Sequence, residues 1–132
     1  MPKVSLTADS AAILIDWHAE GSGDYVVSIE AEADGFRGHA DGHAVGAAVR
    51  EFVRGLIRLE QSRKGKAQLA SVIQNEFQVT IQAIDGVGHM GVSGILRAGP
   101  FGPEGRPPQM LKFFFEFDPS QLPEAVRQAQ LV

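Results

Sequence analysis

The most regular alternation of apolar and polar positions lies late in the chain. Leu111, Phe113, Phe115 and Phe117 alternate with Lys112, Phe114, Glu116 and Asp118, and a period of two places each set on its own face of a β-strand. Three consecutive phenyl rings on one face require a deep apolar partner layer. Asp118-Pro119-Ser120 stops the strand and opens a helix, with Pro119 suited to the first helical position and Asp118 or Ser120 able to cap it. Leu122, Ala125, Val126 and Ala129 give that helix a narrow apolar stripe, fit for an edge or end of a sheet.

The same period recurs earlier. Ile13, Ile15 and Trp17 alternate with Leu14, Asp16 and His18 to give a first strand, and Gly21-Ser22-Gly23-Asp24 reads as the turn after it. Tyr25, Val27, Ile29, Ala31 and Ala33 form the inner face of a second strand whose outer face carries Glu30 and Glu32. Asp34-Gly35 is a two-residue hairpin signal, after which Phe36, Gly38 and Ala40 point inward. At Asp41-Gly42 the period changes. Val45, Ala48, Val49, Phe52, Val53, Leu56 and Leu59 predict an amphipathic helix of about four turns with Asp41 as its N-cap. Gly46 and Gly55 weaken that helix by about 1 kcal/mol each, so close approach to the sheet is their expected use. Residues 67–73 and 77–83 read as strands, Asp85-Gly86 as a second two-residue hairpin, and 87–97 as the next strand. Glycines at 88, 91 and 94 in that strand predict a bulge or the approach of a phenyl ring. Residues 98–108 form a Pro/Gly loop, the segment expected to be most mobile. The predicted order is β-β-β-α-β-β-β-β-α. It gives an α+β fold in which a curved antiparallel sheet of about seven strands packs on one long central helix, with a short C-terminal helix.

Composition narrows the classes of function. At 132 residues the chain reads as a single domain, 1–132, large enough to fold without staples. It has no cysteine, which removes disulfides, thiolate catalysis and thiolate metal sites together. No signal-peptide core or membrane span is evident, and a cytoplasmic location is the expectation. The net charge of −4 is unevenly laid out. Residues 1–34 hold seven carboxylates against Lys3, whereas Arg50, Arg54, Arg58, Arg63, Lys64 and Lys66 cluster in 47–66. An acidic first third can steer a basic partner, or simply face water and the basic stretch. The overall acidity argues against nucleic acid.

Candidate chemistry is sparse. His39, Asp41 and His43 would share a face on a continuous strand and suit zinc, but Gly42 and the helix start are expected to break the strand before His43. No metal or cofactor is expected. His18 and His89 lack a recognisable nucleophile or orienting acid, and no hydrolase, Walker or dinucleotide motif is present, so the chain is not read as an enzyme. Arg50, Arg54 and Arg58 repeat every four residues along what reads as a solvated helix face. Phe114 stands on the polar face of its strand, where it is either covered by the last helix or a loop, or anchors a protein interface.

Gly35-Phe36-Arg37-Gly38, the helix ending Phe52-Val53-Arg54-Gly55-Leu56, Gly88-His89-Met90-Gly91-Val92-Ser93-Gly94 and the run from Phe113 to Leu122 carry a resemblance. Taken together, from residue 11 to the end, they are similar to the WapI-type bacterial immunity proteins, partners of wall-associated polymorphic toxins. The 98–108 loop and the C-terminal tail depart from that pattern. The resemblance implies a cytoplasmic, non-catalytic protein that binds and blocks a cognate toxin domain; the chain itself is expected to be a monomer or homodimer. It carries over no binding residues. Those proposed come from the charge layout: Asp16, His18, Glu20, Asp24, Glu30, Glu32 and Phe114 are the candidate partner-binding residues. The structural alternative pairs the carboxylates with Arg37 and the helix arginines. The competing class is a small-molecule binder or enzyme with a pocket between sheet and helix near His89, the 98–108 loop acting as its lid.

Overall fold

The computed structural model describes residues 2–73, 76–98 and 109–130. Its fold is α+β, but the strands form two antiparallel sheets of four, not one curved sheet of seven. Sheet one is β1 (Lys3–Ala8), β2 (Ala11–Ala19), β3 (Tyr25–Ala33) and β4 (Phe36–Ala44), in that spatial order. Helix α1 (Gly46–Ser62) follows. Sheet two is β5 (Lys66–Ala70), β6 (Phe77–Ala83), β7 (Met90–Ala98) and β8 (Gln109–Phe117), again in order, and α2 (Leu122–Ala129) closes the chain after a 3-10 turn over Pro119–Gln121. Four strands and a helix therefore occur twice, a repetition that no sequence similarity between the halves announces.

Two features account for the difference in sheet one. β1 offers only Val4 and Leu6 as apolar positions, too short a pattern to register, yet both are fully buried. It pairs with β2 across the two-residue turn Asp9-Ser10. β4 also runs three residues beyond Asp41, the expected N-cap, and its inner face is made of Gly38, Ala40, Gly42 and Ala44. Such small side chains give a weak alternation. They are small because sheet two lies against them: a Cβ on Gly38 would stand 2.8 Å from Leu111 Cδ2, and one on Gly42 would stand 3.0 Å from Phe77 Cε2. Gly42 is thus a packing surface within the strand and not a breaker.

The Asp34-Gly35 hairpin has both central residues at positive φ (52° and 87°) and matches the twist of its strands. Asp85-Gly86 does not make a two-residue turn. β6 ends at Ala83 and β7 begins at Met90, and residues 84–89 form a wider loop closed by the Ile84 N–H to His89 carbonyl bond of 3.0 Å. The Asp85 carboxylate accepts from the N–H groups of Val87 and His89, and this competes with the tighter turn. Glycines 91 and 94 meet the expectation of an approaching ring, Gly91 beneath Phe114 and Gly94 beside Phe113.

Helix α1 has 17 residues and is not a long central helix. Val49, Phe52, Leu56 and Leu59 are buried along one face, and Gly55 lies directly on the backbone of β5. Asp41 is not its N-cap. The cap is Val45, which has no side-chain acceptor, and the Asp24 carboxylate accepts instead from the Gly46 N–H at 3.3 Å. At the other end Arg63, not a glycine, adopts the left-handed turn (φ 59°) and its N–H reaches the Leu59 carbonyl. Asp118 does cap the last helical segment, accepting from Ser120 N–H at 2.9 Å. α2 buries Leu122, Ala125 and Ala129 against α1 and β1. Gln121 continues this cover by exchanging bonds with the Thr7 backbone on the outer edge of β1 (2.9 and 2.8 Å). The β1 and β5 edges are thus both guarded by helices. No helix among the described residues is long and apolar enough to cross a membrane.

Candidate functional site

Strand register fixes what sheet one presents to solvent. Its outer face carries three rows across the strands: Thr7–Ala12–Glu32–Arg37, Ser5–Leu14–Glu30–His39 and Lys3–Asp16–Ser28–Asp41. His18, Val26 and His43 make a shorter fourth row at the α1 end. Four of the expected residues, Asp16, His18, Glu30 and Glu32, therefore share one face.

The acidic face is not bare. β4 threads cations through it: Arg37 meets Glu32 at 3.0 Å, and His39 lies 2.9 Å from Asp41 and 3.5 Å from Glu30. His43 meets Glu20 at 2.9 Å. The hydrogen bond to Asp41, aided by the charge on Glu30, raises His39 above the ordinary imidazole value. The same bond, with a smaller contribution from Ser28, holds Asp41 below the usual carboxylate range. The helix arginines take no part. Arg54 and Arg58 pair with Glu51 on their own helix, at 3.6 and 3.0 Å.

Because β4 is continuous, His39, Asp41 and His43 do fall on one face, contrary to the expectation that Gly42 separates them. They do not converge. His43 turns to Glu20, and no group of three or more His, Asp or Glu side chains able to hold a metal ion occurs among the described residues. His89 lies in the exposed 84–89 loop, where its Nδ1 bonds the Asp85 carboxylate and its pKa is raised by that bond.

The remaining expected residues separate into two ends of sheet one. Glu20 and Asp24 flank the β2–β3 turn together with His18, and Asp24 is committed to the start of α1. Glu30 and Glu32 lie toward the β3–β4 hairpin, and Phe114 belongs to the same neighbourhood. Phe114 is 53 % exposed and no helix covers it. Beside it are Phe36 (69 % exposed) and Met110 (55 %). These three, with Asp34 and Leu111, line a hollow of about 370 Å³. A second hollow of about 290 Å³, lined by Leu14, Glu30, Glu32, Arg37 and His39, opens on the outer face of sheet one. Both reach the start of β4, where Phe36 lines one and Arg37, on the opposite face of the strand, lines the other.

Phe36 was expected to face inward, and Met110 was not among the candidate residues. By parity Phe36 belongs to the inner face with Gly38 and Ala40, but it pairs with Ala33 at the hairpin tip, past the end of the packed layer. A large ring next to a two-residue turn was the available signal. No family model, curated protein or solved structure matches the chain.

Proposed function

We propose that this chain is a non-catalytic protein-binding module, an immunity protein of the WapI type that neutralises a cognate bacterial toxin domain in the cytoplasm. One observation carries the reading: exposed Phe36, Met110 and Phe114 line one hollow at the β3–β4 hairpin end, and the outer face of sheet one carries charged Glu32 and Arg37 at that same end. Protein interfaces combine aromatic and Met anchors with a polar rim in this way. Glu30 and Glu32 supply the rim, with Asp16 behind them, and they favour a partner that brings basic side chains to the Arg37-His39 gaps. The protein needs no cofactor for such a role, and blocking a toxin requires only occlusion.

The test looks for a toxin domain encoded next to the gene for this chain and uses it as the partner. Co-expression should protect the host, and co-purification should recover the pair. Glu30→Lys with Glu32→Lys should slow association tenfold or more at low salt while leaving the melting temperature nearly unchanged, because the pairs they break are solvent-exposed. Phe114→Ala should act on dissociation instead. Neither binding nor protection by the unmodified chain would refute the immunity reading. Lost stability with unchanged association would assign Glu30 and Glu32 to intramolecular pairing.

A further inference from the structure

The largest described hollow lies at the other end of sheet one, near its β2–β3 turn, and has a different character. About 560 Å³ opens between the end of β2, the start of β3, one face of α1 and the end of α2. Trp17, Tyr25, Val49 and Val53 give it an apolar wall, and Arg50 and Arg54 stand on its helix side. No aspartate or glutamate is among the described residues of the lining. In a chain of net charge −4 this is a local reversal of sign. Its size is that of small-molecule sites, which run to about 300–1,000 Å³.

The two arginines are four residues apart, hence neighbours on one face of α1. No carboxylate among the described residues pairs with Arg50. Arg54 has Glu51 at 3.6 Å, a long and exposed pair of the kind that contributes little and leaves the guanidinium able to take a second anion. The wall behind them is firm. Trp17 is 2 % exposed and its ring meets Phe52 edge-on at 6.1 Å between centroids. The groove therefore offers apolar surface for the body of a ligand and two arginines on its helix side to attract a single negative group.

We propose that this groove binds an amphipathic monoanion, a carboxylate carrying an unbranched alkyl chain. The chain lies along Tyr25 and Val53, the half-buried part of the wall, and the carboxylate is held by Arg50 and Arg54. This site is separate from the Phe36–Phe114 surface, and it stands or falls independently of the immunity reading.

Trp17 is the only tryptophan in the sequence, so its fluorescence reports on this wall alone. Dodecanoate, titrated below the concentration at which it forms micelles, should change Trp17 emission saturably, and isothermal calorimetry should give the same midpoint. Arg50→Ala with Arg54→Ala should weaken binding tenfold or more with little change in melting temperature, since both side chains project to solvent. Acetate, which lacks the chain, and dodecyltrimethylammonium, which lacks the anion, should give no saturable response. Silence toward dodecanoate by both methods would overturn the proposal. An equal response to the cationic amphiphile, or an unchanged affinity in the double-arginine variant, would overturn it as well.

Discussion

Replacement of Gly55 by alanine sets two physical effects of similar size against each other. In the middle of a solvated helix, alanine is favoured over glycine by about 1 kcal/mol, because glycine loses more backbone freedom on folding. Gly55 is buried, and a Cβ there would stand 2.8 Å from Ala67 Cα, 2.8 Å from the Lys66 carbonyl oxygen and 2.9 Å from Ala67 Cβ. Two of those three atoms are backbone of β5 and cannot rotate away. Ordinary contact begins at 3.4 Å, so α1 must lift from β5 by several tenths of an ångström. That shift loosens Leu56 and Leu59, both fully buried next to it. Overpacking of this kind costs about 1–3 kcal/mol. Subtracting the propensity gain leaves Gly55→Ala destabilising by about 0–2 kcal/mol, against a gain of about 1 kcal/mol if helix propensity alone governed the site. Urea denaturation resolves the sign. The internal standard is Arg54→Ala against Arg54→Gly, which reads the alanine–glycine difference one residue away on the exposed side of the same helix. Exposed position 54 should favour alanine and position 55 should favour glycine. If Gly55→Ala stabilised the protein as much as the standard indicates, the account of Gly55 as the contact between helix and sheet would be wrong.

Three further outcomes follow from the structure. Phe52→Ala removes a fully buried ring packed edge-on to Trp17 and should cost about 3–5 kcal/mol by urea denaturation, and a loss below about 1 kcal/mol would contradict its place in the core. Asp24→Ala should cost about 1 kcal/mol, because it removes the acceptor and the negative charge at the start of α1, whereas Asp24→Asn should retain part of it; equal losses for the two would exclude the hydrogen bond as the cause. In an NMR titration His39 should protonate above the ordinary value of 6.5, and Asp41→Asn should lower its midpoint. Since the folded-state value is raised, His39 adds stability that is complete below 6.5 and is lost as pH rises through the folded midpoint. Exposure limits that gain to below about 1 kcal/mol. His89 slopes in the same direction through Asp85, so His39→Gln should reduce the pH dependence of stability and His39→Gln with His89→Gln should reduce it further.

The sequence by itself determined the local elements wherever one periodicity dominated. The triple-phenylalanine strand, the acidic β3, the Asp34-Gly35 hairpin, the body of α1 and the Asp118 cap were all legible, because each depends on near neighbours in the chain. So were the roles of Gly55, Gly91 and Gly94 as points of close approach, since glycine inside an element is unfavourable unless something occupies the missing side chain's place. What only the tertiary structure decided were features whose cause lies far along the chain. β4 stays extended through Gly42 because Phe77 covers it. Val4 and Leu6 make a strand because β2 and α2 bury them. The start of α1 is held by Asp24, from the turn between β2 and β3. The surface was divided in the same way. Alternation placed Asp16, Glu30 and Glu32 outward, but the pairing register set Arg37 and His39 among them. The packing of β8 across sheet one brought Phe114 and Met110 beside Phe36. A pattern of period two specifies which way a side chain points, whereas its neighbours across a sheet depend on register and on how two sheets meet, and these are fixed only when the whole core forms.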